Sequence, residues 1–281
     1  MKRTVLIFCI IVLSVIAFAH EFWLHPRKYF YSIRETANIR FVVGENFQGD
    51  NWKGNKDKIA QLVHYTPSEN LVDLSGRISA NTGDSLQLPL QEEGTHMVIF
   101  NSTNSFIRLE ADKFNEYLKD DGHDEVILYR KTHGEEKLAG TEHYQRSVKT
   151  ILQVSGKLTD ACTQATGLPL DIIPAENPYS IPDPLSGKKK IILKFRVLFK
   201  GEALGNALVR GWYHIPGKGV QVDSVRTNKK GWVSLERHPG PYMVSCVHME
   251  RTTDGGEADW QSYWGSLSFE YSQYFSRNTG R

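Results

Sequence analysis

The sequence predicts a mainly β fold, built as two antiparallel β-sandwich-like domains with one short helix in the N-terminal domain. Three observations support this class. Short β-rich runs separated by turn residues occupy most of the chain, one segment has helical periodicity, and a proline-rich stretch divides the chain. Many short strands with turns between them are typical of antiparallel sandwiches.

The predicted strands are short runs of β-branched, aromatic and alternating apolar residues that end at Gly, Asn, Asp or Lys. They cover residues 38–43, 86–90, 95–100, 147–154, 191–199, 207–213, 220–227, 232–235 and 242–249. The second and third of these runs flank Glu92, Glu93 and Gly94. We expect these two to form a hairpin.

One segment has the spacing of an amphipathic helix. Phe114, Tyr117 and Leu118 recur at i, i+3 and i+4. Asp112 lies near the start of the segment and Gly122 near its end, as helix boundaries favour. The sequence therefore predicts a helix whose apolar face is formed by these three side chains.

The domain boundaries follow from composition. Five prolines lie between Gly167 and Gly187, and proline removes backbone donors and fixes φ, which favours an extended connector. We predict four segments, namely a signal peptide at 1–19, an N-terminal β-rich domain at 20–166, a Pro-rich connector at 167–187 and a C-terminal sandwich at 188–281.

The N-terminus has the pattern of a cleavable export signal. Lys2 and Arg3 precede an apolar run at 5–16, and Ala17-Phe18-Ala19 supplies small residues for cleavage. The run would extend only about 18 Å as a helix, against a hydrocarbon core of about 30 Å. We expect a mature chain that begins at His20 and has no transmembrane helix.

Charge and cysteine content limit the partners. Without Lys2 and Arg3 the chain has 32 Lys and Arg against 32 Asp and Glu, so its composition gives no support for nucleic-acid or anionic-membrane partners. Only Cys162 and Cys246 follow the signal, and they are expected either to form one disulfide or to remain two buried thiols.

Motifs of known enzymes are missing from the sequence. It contains no Gly-x-Ser-x-Gly, no phosphate-binding glycine loop, no dinucleotide fingerprint, no His-Glu-x-x-His and no Cys-x-x-Cys. We predict a protein that binds and does not catalyse.

The C-terminal third resembles a known sandwich. The segments 198–209, 227–233 and 239–242 hold a strand hairpin, a Thr-x-x-x-Gly turn and a Pro-Gly-x-Tyr turn. They look like the transthyretin-like or carboxypeptidase-regulatory-like β-sandwich. This resemblance implies an Ig-like architecture and no particular activity.

A second resemblance covers most of the mature chain. It is carried by His20-Glu21-Phe22-Trp23-Leu24, by the segments at 144–149, 167–170 and 247–251, and by Trp260 with Trp264. Together they resemble an uncharacterised family of exported bacterial proteins, which are similar to the periplasmic component of nickel or cobalt uptake systems. The resemblance implies a periplasmic location and a transporter or outer-membrane receptor as partner.

The expected metal ligands are His20, His248, Glu250 and His25. Cleavage before His20 would place an α-amine and an imidazole on one residue, a chelating pair that suits Cu(II) and Ni(II). His248 and Glu250 should project from one face of a strand, although His248 could equally be a core histidine and Glu250 the partner of a cation. His25 precedes a proline, which favours a backbone that points it away.

Two further sets of residues are candidates for binding. Tyr144 and Arg146 share one face of a predicted strand and could hold a carboxylate or phosphate, or Arg146 could pair with an acidic residue. Trp260 and Trp264 could form a sugar-binding platform, but core packing is the simpler interpretation.

Three functions compete. The favoured one is an exported protein that binds a divalent transition-metal ion, Ni, Co or Cu, for uptake or handling. The alternative is a structural or interaction module that docks on an outer-membrane partner or glycan. A copper oxidase or sugar-attacking monooxygenase that uses His20 is the least favoured, because nothing else resembles those enzymes.

Overall fold

The computed structural model describes residues 21–52, 56–79, 83–180, 190–253 and 255–271. Within them the chain is mainly β, with three sheets and two α-helices, which confirms the predicted class. The predicted signal peptide and His20 lie outside the described residues.

The described residues form eighteen strands and two α-helices, which follow one another along the chain. The strands are β1 (Glu21–Pro26), β2 (Phe30–Tyr31), β3 (Thr36–Glu45), β4 (Gln48–Asn51), β5 (Ile59–Tyr65), β6 (Leu71–Asp73), β7 (Ser85–Pro89), β8 (Gly94–Ser102), β9 (Ser105–Leu109), β10 (Gly140–Val154), β11 (Leu170–Pro174), β12 (Ile192–Phe199), β13 (Glu202–Ala203), β14 (Leu208–Ile215), β15 (Gly219–Arg226), β16 (Trp232–Glu236), β17 (Gly240–Arg251) and β18 (Trp260–Tyr271). The helices, between β9 and β10, are α1 (Ala111–Asp120) and α2 (Asp124–Thr132).

A ten-stranded sheet forms the central layer. Its strand order is β15-β14-β17-β18-β10-β8-β5-β6, with β2 and β9 also paired to β10. Along β8, Met97 and Ile99 pack with the sheet of β11, β12 and β16, whereas Val98 and Phe100 pack with the sheet of β1, β3 and β7. Because successive side chains point to opposite faces, the two smaller sheets cover opposite faces of the central one.

The two predicted halves of the chain share this central sheet. β10 and β18 pair in parallel from Glu142 opposite Trp260 to Thr150 opposite Ser268. Within the predicted connector, β11 is a buried strand paired with β12, while residues 181–187 lie outside the described part of the chain. The domain boundaries themselves stay a prediction.

The expected hairpin between residues 86–90 and 95–100 is wrong. β7 pairs with β3, and β8 pairs with β10 and β5. Leu86 and Leu88 still contact the apolar cluster of Val98 and Phe100, but they do so face to face across two sheets. The apolar residues of β7 and β8 therefore reflect packing between two sheets. They do not indicate hydrogen bonding between these two strands.

The predicted helix is confirmed as α1, with Phe114, Tyr117 and Leu118 buried. A second helix, α2, follows at once and was not predicted. Its only buried residues are Val126 and Arg130, so it lacks an apolar stripe.

The two helices lie beside β1 on one face of the central sheet. Their apolar side chains pack with Val247, Trp260 and Trp264. Two positions beyond Trp264 and therefore on the same face, the Ser266 hydroxyl donates to the Phe22 carbonyl at 2.7 Å. This arrangement brings the turn between the helices close to the first described residues.

The turn before β16 yields a test of the fold. Gly231 has φ +77°, and a Cβ added there would lie 2.5 Å from the Val197 carbonyl oxygen. Gly217 has φ +79° with nothing within 4 Å of such a Cβ. We expect Gly231→Ala to lower the free energy of unfolding by about 3 kcal/mol and Gly217→Ala by about 1 kcal/mol, because only Gly231 adds a backbone clash to the left-handed strain. Urea unfolding of both variants measures this, and equal losses would contradict it.

Candidate functional site

The candidate site lies at the turn between α1 and α2. The backbone N–H of His123 donates to the Leu118 carbonyl at 2.8 Å, and its own carbonyl accepts from Ile127 at 3.0 Å. Arg226 of β15 holds the same turn, since its guanidinium donates to the Gly122 carbonyl at 3.0 Å and to the Asp124 carboxylate at 2.7 Å. The turn is therefore fixed by both helices and by the sheet.

Next to this turn is a cavity of about 150 Å³, which we call the histidine cavity. Its lining includes His123, Asp121 and Glu125 from the helix side and His248 from β17. His123 is 8% exposed, and its Nε2 atom has no hydrogen-bond partner among the described residues. A buried polar atom without a partner costs free energy, so this nitrogen is suited to a ligand from outside.

Both histidines of the cavity favour the neutral form. Burial, with smaller contributions from the nearby His248 and Arg210, lowers the pKa of His123 to about 3. Burial also lowers the pKa of His248, and the charges of Glu250 and Glu125 oppose this effect by raising it. A neutral imidazole has a free nitrogen lone pair, the form that binds metal ions.

A second cavity, of about 490 Å³, shares Asp121 with the first. We call it the acidic cavity, because Glu21, Glu45, Glu116 and Asp120 also line it. Burial raises the pKa of Glu21 to about 7.

The wall shared by the two cavities holds an ion pair between Asp121 and Arg210. Burial raises the pKa of Asp121, an effect that Arg210 opposes. The Arg210 cation thus stabilises the charged form of the buried Asp121 carboxylate.

The predicted metal ligands fall in different places. His248 lines the histidine cavity and packs on the Phe199 ring at 4.3 Å between centroids. The carboxylate of Glu250 accepts from Lys200 at 2.6 Å and from the Tyr263 hydroxyl at 3.2 Å, which matches the alternative in which it pairs with a cation. His25 accepts from the Trp23 indole N–H at 3.4 Å, and burial lowers its pKa.

Of the three predicted ligands that the structure describes, only His248 belongs to the histidine cavity. Among the described residues, no group of three or more His, Cys, Asp or Glu side chains is arranged to hold a metal ion. His20 falls outside that search, so its part in metal binding stays a prediction.

The aromatic candidates are mostly core residues. Trp260 is 2% exposed and Trp264 is 9% exposed, and both belong to the cluster under the two helices. Little of either ring is open to a sugar. Tyr144 and Arg146 do share one face of β10, where the Arg146 guanidinium lies over the Tyr144 ring at 4.9 Å.

Two further predictions, on the cysteines and on membrane-spanning helices, can be compared with the described residues. Cys162 and Cys246 are both free and buried in the cluster between the central sheet and the β11–β12 sheet, so the structure has two buried thiols. None of the described helices is long and apolar enough to cross a lipid bilayer.

A second histidine pair lies away from the cavities. His64 and His96 are buried and stacked, with 2.7 Å between His64 Nε2 and His96 Nδ1. His96 Nε2 lies 2.8 Å from the Glu92 carbonyl, which only accepts, so His96 donates there and accepts from His64. Burial lowers the pKa of His64 to about 3 and lowers that of His96 as well.

This pair predicts acid lability. Below pH 6.5 the unfolded His64 binds a proton that the folded one does not bind, so stability falls as the pH falls from 6.5 towards 3. We expect His64 to account for a loss of about 2 kcal/mol between pH 7.5 and pH 5. Urea unfolding at both values should show a smaller loss for His64→Gln, whereas the exposed-site control His214→Gln should match the wild type. Equal losses in all three proteins would contradict this origin.

The sequence did not single out His123. A lone histidine between two helices has no metal-ligand spacing, and the second helix was itself missed. The one available signal was the run Gly122-His123-Asp124-Glu125, in which a C-terminal glycine is followed by acidic residues that favour a new helix start.

The chain is therefore a mainly β protein with stacked sheets and a histidine-lined cavity at the turn between two helices. Residues 17–250 match the family model described as Domain of unknown function (DUF4198), so the chain belongs to this family. No curated protein matches the chain by sequence. The family description names no nickel or cobalt uptake component, and that expectation stays a prediction.

Several solved structures show distant likeness. The D0-D1 domain of Intimin is 11% identical, with 89% of this chain and 97% of that chain covered and a TM-score of 0.22. Escherichia coli alpha-2-macroglobulin activated by porcine elastase is 11% identical, and the match spans 90% of this chain but only 20% of that one, with a TM-score of 0.23. Clostridium thermocellum CbhA fibronectin(III)-like modules are 8% identical, with coverage of 89% and 95% and a TM-score of 0.19. We base no functional inference on likenesses this distant.

Proposed function

We propose that this chain is an exported, periplasmic protein that binds one divalent transition-metal ion, Cu, Ni or Co, in the histidine cavity. The observation that carries the proposal is the buried His123, whose Nε2 has no hydrogen-bond partner in the described part of the chain and which lines the same cavity as His248. The metal ion is cargo for uptake or handling and has no catalytic task.

The chemistry of the cavity supports this class of ligand. Imidazole nitrogen suits Cu, Ni and Co, and both imidazoles are held neutral by burial. The carboxylate of Glu125 lines the same space and favours a cation, whereas Asp121 is already paired with Arg210. A volume of about 150 Å³ leaves room for an ion with water ligands.

Two imidazoles leave most of the metal ion's coordination positions open. We assign some of these positions to His20. One peptide bond joins His20 to Glu21, and Cα atoms so joined lie about 3.8 Å apart. Glu21 lines the acidic cavity, whose wall at Asp121 is also a wall of the histidine cavity. The α-amine and imidazole of a mature N-terminal His20 would add two nitrogens.

The experiment compares two N-termini. Cu(II) and Ni(II) are titrated into the chain beginning at His20 and into the same chain with its α-amine acetylated, which removes the amine as a ligand. We expect both chains to bind one ion and the chain with the free amine to bind at least about tenfold more tightly. Equal affinities would remove the His20 amine from the site, and no binding by either chain would contradict the proposed function.

The alternative, an interaction module, has one observation in its favour. Trp232 and Ile192 are 37% and 45% exposed on the sheet of β12 and β16, and Arg196 lies over the Trp232 ring at 5.8 Å. Absence of metal binding by both chains would leave this alternative in place.

A further inference from the structure

Arg146 is a partly exposed cation, and its surroundings differ from those of the buried cation Lys149. Its guanidinium lies over two aromatic rings, 5.1 Å from the Phe22 centroid and 4.9 Å from the Tyr144 centroid. The backbone N–H of Arg146 donates to the Ser102 hydroxyl at 2.9 Å, which anchors this part of β10. The backbone that carries the side chain is thus held in place.

No carboxylate compensates this charge among the described residues. Lys149 pairs with Asp171 and Arg210 with Asp121, but Arg146 forms no ion pair there. Burial lowers the pKa of Arg146, while Tyr144 acts in the opposite direction. Aromatic faces attract a guanidinium but do not neutralise it, so the charge is partly removed from water and has no anion among the described residues.

The group is nevertheless reachable. Arg146 and Tyr144 are both partly exposed, so a small ligand has access to the edge of the guanidinium. A guanidinium has five N–H groups, and those that Tyr144 does not engage can donate two parallel hydrogen bonds to a planar or tetrahedral oxyanion.

We propose that Arg146, together with Tyr144, forms a binding site for a small oxyanion, either a carboxylate or a phosphate. The guanidinium supplies a two-pronged contact, and the Tyr144 hydroxyl is a further donor beside it. Neither residue lines the histidine cavity, so the test of anion binding does not depend on the proposed metal binding.

The test uses inorganic phosphate and citrate as probes in a buffer without other multivalent anions. Binding is followed by calorimetry and by the rise of the unfolding midpoint, which a ligand of the folded state produces. The variants are Arg146→Met, Arg146→Lys and Tyr144→Phe. Arg196→Met is the matched control, because Arg196 is also stacked on an aromatic ring but is exposed.

We expect at least one probe to bind the wild type and Arg196→Met equally. Arg146→Met should bind at least about tenfold more weakly, and Arg146→Lys should fall between because an ammonium has no fork. Tyr144→Phe should weaken binding about threefold through loss of one hydrogen bond. Phosphate alone binding would identify the source as a phosphate, and citrate alone as a carboxylate.

Stability without anion provides the second readout. Arg146→Met removes an uncompensated charge, so its unfolding midpoint in anion-free buffer should equal or exceed that of the wild type. The inference is overturned if neither probe binds, or if Arg146→Met and Arg146→Lys bind as tightly as the wild type.

Discussion

Replacing His123 by Ala is expected to weaken Cu(II) binding about 100-fold, because it removes one of the two imidazoles fixed in the histidine cavity. His248→Ala should have a similar effect, since it removes the other. Competitive titration against a chelator of known affinity measures both. His214→Ala is the matched control, because His214 is exposed on β14.

The double variant separates a shared site from two independent ones. If both imidazoles bind one ion, His123→Ala with His248→Ala should not add a second 100-fold loss, since the site is already broken. Affinities that are equal in all these proteins would exclude the histidine cavity. Thermal unfolding of each variant shows whether the loss reflects ligation or a disrupted helical turn.

Asp171→Asn is expected to lower the free energy of unfolding by about 4 kcal/mol. Asp171 accepts from Lys149 and from the backbone N–H of Thr166 at 2.6 Å, and Lys149 is 1% exposed. The variant leaves the Lys149 ammonium buried without a counter-charge. Breaking one side of a buried pair costs more than the pair itself contributes.

Removing the second charge tests that cause. Lys149→Met combined with Asp171→Asn eliminates both charges and keeps an acceptor for Thr166. We expect the double variant to recover at least half of the lost stability in urea unfolding. A double variant as unstable as Asp171→Asn would show that packing or hydrogen bonding, and not the stranded charge, causes the loss.

The fold was predictable where the pattern is local. The three apolar residues of α1 repeat at helical spacing, and all are buried. β18 was missed because it is buried on both faces and mixes large with small polar residues, as in Trp264, Ser266 and Ser268. The parallel pairing of β10 with β18 could not be predicted either, because no short turn joins the two strands and fixes their relative direction.

The site was predictable only in part. His248 was found through its family motif, and its position on a strand followed from the apolar run around it. His123 reaches the same cavity only because α1 and α2 pack on β17 and β18, which spacing along the chain does not show. Glu250 meets Lys200 through the same kind of tertiary contact.

The measurement that tests the central claim most directly is the metal content of protein expressed in cells from the full sequence, with the predicted signal at 1–19 in place. Such protein has whatever N-terminus the cell produces, and it meets metal ions in the compartment where it works. We predict about one Cu, Ni or Co ion per chain in the wild type and clearly less in His123→Ala. Wild-type protein free of these metals, or equal content in the two proteins, would contradict metal binding at the histidine cavity.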